Sequence, residues 1–107
     1  MNIQFKKGVL ELIVLVSVDK KDMYGYELIA LVSQVVDVND GTIYPLLKRL
    51  TNENYCETYL VESTEGPPRK YYKITSLGKE RLSDLLITWH DFSDSVDKYI
   101  KESEKND

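Results

Sequence analysis

The chain has 107 residues, 42% of them hydrophobic and 30% charged, which fits one globular domain with a single core and excludes a disordered or fibrous protein. No apolar run is long enough to span a membrane, no secretion signal is legible at the start, and a lone cysteine, Cys56, forbids an intramolecular disulfide, so a cytoplasmic protein is expected. One histidine, His90, without Ser-His-Asp or paired-carboxylate spacing disfavours an enzyme; no catalytic residue, cofactor or metal site is expected.

Residues 8–18 are almost wholly apolar, broken by Glu11 and Ser17. Their β-branched content suits a buried strand, while a length of about eleven residues favours a buried helix. Residues 19–22 read as a polar turn with Asp22 a plausible N-cap. From Tyr24 the apolar positions Leu28, Leu31, Val32 and Val35 have helical spacing, the helix ending near residues 34–36, with a short strand at 36–38. Residues 39–42, Asn-Asp-Gly-Thr, offer capping oxygens for a third helix. Its stripe is Ile43, Leu46, Leu47 and Leu50, with Lys48, Arg49 and Asn52 off it; Pro45 requires the helix to start close by or to bend.

Residues 55–62 alternate and are rich in Tyr, Thr and Val, and residues 69–75 contain Tyr71, Tyr72 and Ile74, predicting two strands joined by a turn that Gly66, Pro67 and Pro68 shape, the prolines stiffening the return. Alternation places Arg69, Tyr71 and Lys73 on one face and Lys70, Tyr72 and Ile74 on the other, so one tyrosine is core and its neighbour exposed. Cys56, near the start of the first strand, reads as buried and inert. Residues 76–101 predict a long helix capped by Thr75 or Ser76. Leu82, Leu85, Trp89, Phe92, Val96 and Tyr99 form a heptad-like seam widened by Leu86 and Ile100. So long a stripe exceeds what a small body can cover, and a second chain is the expected cover. The ends, residues 1–7 and 102–107, are expected to fray.

The net charge of −4 argues against coating nucleic acid over the whole surface, but the charge is unevenly spread. Residues 41–51 hold Lys48 and Arg49 and no acid; residues 66–78 hold Arg69, Lys70 and Lys73 and no acid, while acids gather after Glu80. Helix, helix, capped helix, stiff hairpin and long helix is the order of a winged helix-turn-helix, a mainly α fold with a β-hairpin wing (α+β). The third helix and the hairpin tip are its DNA-facing parts. The reading divides the chain into a DNA-binding unit over 1–75 and a dimerisation helix over 76–107, forming one compact body.

Residues 7–12 (Lys-Gly-Val-Leu-Glu-Leu), 24–28 (Tyr-Gly-Tyr-Glu-Leu), 41–50 (Gly-Thr-Ile-Tyr-Pro-Leu-Leu-Lys-Arg-Leu) and 66–75 (Gly-Pro-Pro-Arg-Lys-Tyr-Tyr-Lys-Ile-Thr) occur in order at natural spacing. With these motifs the chain resembles the PadR family of bacterial transcriptional regulators, in its small subclass with a single C-terminal helix. Thr51 and Asn54 depart from the family's usual Glu and Gly, although Asn tolerates the left-handed backbone of a helix end. The resemblance implies a homodimeric repressor of a pseudo-palindromic operator in double-stranded DNA, the last helix supplying the dimer contacts.

The candidate DNA contacts are Thr42, Tyr44, Lys48, Arg49, Arg69, Lys70 and Lys73. Tyr24 or Tyr26 adds a phosphate contact or only packs. The candidate dimer contacts are Leu82, Leu85, Leu86, Trp89, Phe92, Val96 and Tyr99. Trp89 has two readings: dimer core, or, with Phe92 and Leu85, the wall of a cleft for a small hydrophobic aromatic effector. His90 is expected at the surface. A winged-helix module holding a protein partner, without an operator, is the alternative function.

Overall fold

The computed structural model describes residues 3–105, and side chains from Gly8 to Lys105. Helix α1 (Ile3–Lys20) contains the apolar run. A helix satisfies its backbone hydrogen bonds internally and so can be enclosed on every side without a ladder partner. Leu10, Val14, Leu15 and Val18 are each 1% exposed or less, and Glu11 and Ser17 are buried among them. Ser17 donates its hydroxyl to the Ile13 carbonyl at 2.8 Å.

Strand β1 (Met23–Tyr24) precedes α2 (Gly25–Val35) and α3 (Asp40–Asn52); β2 (Cys56–Val61) and β3 (Arg69–Ile74) form the hairpin, and α4 (Ser76–Lys105) ends the described chain. The sheet is antiparallel in the order β1-β3-β2, with Tyr24 opposite Tyr71 and Tyr59 opposite Tyr71 on its other side. This is the expected winged-helix order, an α+β fold with a long final helix.

Three expectations are corrected. Residues 36–38 form no strand; the third strand is β1, which pairs its two residues with the free edge of β3. Because β1 occupies residues 23–24, α2 starts beyond it: Tyr24 is the N-cap, its N–H donating to Glu27 Oε1 at 3.3 Å, and Asp22 instead accepts the Tyr59 hydroxyl at 2.6 Å. The ends are longer than expected, α1 beginning at Ile3 and α4 reaching Lys105; the remainder of the fraying expectation, residues 1, 2, 106 and 107, lies outside the described residues.

The first half of α4 packs along α1. Leu82 is 6% exposed, and Leu85, Leu86 and Trp89 pack partly buried against the same core. Gly78 makes the close approach possible: a Cβ there would run into the Tyr55 carbonyl oxygen and lie 2.7 Å from Ile74 Cγ1. Beyond Trp89 the helix leaves the body, so that the molecule measures 62 Å along its longest axis against 27 and 21 Å across.

Candidate nucleic-acid interface

Asn39 starts α3, its Oδ1 accepting from Thr42 N–H at 3.1 Å and from the Thr42 hydroxyl at 3.3 Å. Thr42 therefore serves the cap. Ile43, Leu47 and Leu50 are fully buried, and at 100° per residue the direction opposite them carries Gly41, Pro45 and Asn52, with Lys48 to one side, Arg49 about equally far to the other, and Tyr44 beyond Lys48. Lys48, Tyr44 and Asn52 are exposed as that geometry requires. Pro45 lies five residues into the helix and leaves only the Gly41 carbonyl without its intrahelical partner. The helix ends in a Schellman turn: Tyr55 N–H donates to the Leu50 carbonyl at 2.9 Å, Asn54 N–H donates to Thr51 at 3.1 Å, and Asn54 takes φ 66°.

Arg49 is exposed on the same helix, its side chain 44% accessible. It points sideways toward α1, with Nη2 3.1 Å from Glu11 Oε2 and Nη1 3.1 Å from Glu53 Oε2. Two carboxylates engage its guanidinium, while Lys48 is exposed beside it.

On the wing, Tyr72 and Ile74 face the core at 8% and 7% exposure, so Tyr72 is the core tyrosine. Tyr71, on the outer face, is half-buried in a row of rings. It stacks on Tyr59 at 5.5 Å and meets Tyr24 at 5.7 Å, and Tyr24 stacks on Tyr26 at 6.5 Å. The Arg69 guanidinium sits 4.8 Å above the Tyr24 ring. The hydrogen bond to Asp22 pushes the Tyr59 hydroxyl up to about 12 and closes the row at its far end.

Between this wing and α3 runs a groove lined by Tyr24, Tyr26, Tyr44, Gly66, Arg69 and Lys70, with Glu65 at its rim. The structure thus brings Tyr44, Arg69 and Lys70 together. It separates Thr42 and Arg49, which flank Leu10 and Leu46 on the other side of α3, and Lys73, which stands on the outer face of the sheet opposite Glu57.

The model of the PadR-like transcriptional regulator family matches residues 14–84. The chain belongs to this family. A protein of Lysinibacillus sphaericus, described as uncharacterised, is 33% identical over 89% of this chain and 91% of its own. A PadR-like transcriptional regulator of Bacillus cereus superposes with a TM-score of 0.82 at 38% identity, covering 91% of this chain and 96% of that one. A Streptococcus transcriptional regulator does so with a TM-score of 0.82 at 37% identity, covering 92% and 98%. PadR-like proteins are regulators of transcription that bind DNA and not enzymes, so the groove and the outer face of α3 belong to a DNA-binding fold.

The rest of this PadR-like chain offers two further features. Phe92 is 51% exposed, and Val96 (41%), Tyr99 (73%) and Ile100 (47%) follow it on the part of α4 beyond the body. Where α4 leaves α1, Val9, Leu12, Leu85, Thr88, Trp89 and Phe92 line an apolar cleft of about 280 Å³. Sequence reasoning saw Glu11 only as a break in an apolar run and missed its pairing with Arg81 and Arg49. An acid inside an otherwise apolar helix was the available signal, since a buried carboxylate demands a cationic partner. No helix among the described residues is long and apolar enough to cross a membrane, and none of their acids, histidine or cysteine cluster as metal ligands do.

Proposed function

We propose that the protein is a homodimeric repressor that reads a pseudo-palindromic operator. The observation that carries this is the groove that sets Arg69 and Lys70 opposite Tyr44, beside the outward face of α3, in a chain of net charge −4. Helix α3 enters the major groove with Lys48 and Tyr44 foremost and Asn52 behind them, and the wing lays Arg69 and Lys70 on the flanking phosphates. Lys73, on the outer sheet face, adds long-range attraction. Two copies pair through α4, Phe92, Val96 and Tyr99 forming the contact with Leu85, Leu86 and Trp89 at its inner end; Leu82 contributes within each chain, where its surface is already used.

The apolar cleft beside Trp89 suits a planar hydrophobic effector, whose preference for one arrangement of the pair releases the operator. Family membership favours an operator over a protein-only adaptor. Selection of bound sequences from random duplexes tests the reading: a two-fold related motif with half-sites about one helical turn apart is expected. Failure to enrich any sequence from a protein that is folded and dimeric would sink it. Quenching of Trp89 fluorescence by planar aromatics tests the cleft, and a flat response over a broad panel assigns Trp89 to packing alone.

A further inference from the structure

Three helices meet at one carboxylate. Glu11 of α1 is 5% exposed. Its Oε1 accepts from Arg81 Nε at 3.0 Å; its Oε2 accepts from Arg81 Nη2 at 3.3 Å and from Arg49 Nη2 at 3.1 Å. Arg81 belongs to α4 and Arg49 to α3, so a side chain of the central helix spans the helix that reads DNA and the helix that leaves the body. Guanidinium forks hold carboxylates in a narrow range of distance and plane, unlike apolar pairs, which slide. Arg49 is further tied to Glu53, at the C-cap of its own helix.

The same two helices are fastened at a second place. The Thr75 hydroxyl, just before α4, donates to the Asn54 carbonyl at 2.6 Å and accepts from Gly78 N–H at 2.9 Å. Thr75 N–H donates to the Tyr55 carbonyl at 3.1 Å. The Arg81 guanidinium lies 5.8 Å over the Tyr55 ring. Two separated attachments between a pair of helices fix an angle, where one would leave a pivot.

We propose that Glu11 is a positioning residue for DNA binding: through Arg49 and Arg81 it locks the angle between α3 and α4, so that pairing of two α4 helices fixes the separation of the two α3 helices. The inference rests on the dimeric reading above. It makes Arg49 a residue that acts through Glu11 and touches no phosphate. Coupling between the distant ends of the molecule then needs no contact with DNA or effector, only a rigid lever between them.

The test uses full-length protein and duplexes carrying the selected half-sites at the preferred spacing and with one base pair added or removed. R49Q and R81Q each leave Glu11 one guanidinium, so its buried charge stays compensated in both. Each is expected to lose about tenfold in discrimination between right and wrong spacing. Preference within a half-site should be unchanged, as should the slope of log K against log salt. The E11Q/R49Q double variant, in which no buried charge is left unpaired, should lose no more than either single one, because either cut severs the same link. E11Q should match them; should it fail to fold, the two arginine variants decide.

A wild-type spacing profile in R49Q overturns the inference, as do losses that add in the double variant. So does a salt slope reduced by about 0.9 per protomer, the mark of a cation taken off a phosphate. A wild type indifferent to spacing overturns the dimeric reading and this inference with it; a spacing-sensitive wild type matched by R49Q overturns this inference alone.

Discussion

Gly78 and Glu11 show how much of the architecture rests on single side chains. At Gly78 the α4 backbone passes against the Tyr55 carbonyl, so Gly78→Ala must push the helix off backbone that cannot yield. A loss of about 3 kcal/mol is expected, read as a lowered urea midpoint. At Glu11, burial pushes the carboxyl up, but the hydrogen bonds from Arg81 and Arg49 outweigh it and hold the group below its ordinary 4.5. A carboxyl lowered on folding adds stability that is present above its unfolded value and fades as pH falls through the folded one. The gap in melting temperature between wild type and E11Q should therefore be widest near neutrality and narrow below about pH 4.5; a gap constant with pH would mean that folding leaves the Glu11 carboxyl where it stands in the unfolded chain, and one that shrinks as pH rises would mean that Glu11 is neutral in the fold. Glu11 and Ser17 were both visible as interruptions of an apolar run, but a sequence names no partner 38 or 70 positions away. For Arg49 the Glu53 carboxylate, four residues on, was within sight of the sequence, but the Glu11 carboxylate 38 positions earlier was not.

Among the elements, the wing carries two of the proposed DNA contacts, Arg69 and Lys70. The row Tyr26, Tyr24, Tyr71 and Tyr59 braces β1 and β2 against β3 and carries Arg69 over one ring. Order imposed before binding spares the cost of freezing the loop on DNA. Replacing Arg69 and Lys70 together by Ala should weaken binding to all sequences alike. In a dimer it should flatten the salt slope by about 3–4, at roughly 0.9 for each phosphate left without its cation; an unchanged slope would remove the wing from the interface. The strands and α3 were legible because turn residues, period and capping oxygens agree. Strand β1 was not, since two residues have no period; its place comes from the free edge of β3. The segment 36–38 looked like a strand by composition, but it pairs with none of the three strands.

At the scale of the whole molecule, the proposed pairing of two chains rests on α4. Its outer half exposes Phe92, Val96, Tyr99 and Ile100, a stripe too long for the body to cover, as the spacing of the seam required. Changing Val96 and Tyr99 together to Lys should leave a folded chain, since neither belongs to the core. Sedimentation should then show a monomer, and operator affinity should fall by orders of magnitude; a variant that still dimerises would place the contact elsewhere. The lone thiol has a different consequence. Cys56 is 2% exposed under the inner face of β2, and burial pushes it up to about 11. A thiol reagent must wait until the strand peels away, so the labelling rate clocks that rare excursion without any engineered probe. The molecule carries its own stopwatch, and duplex DNA, by clamping the hairpin, ought to slow it.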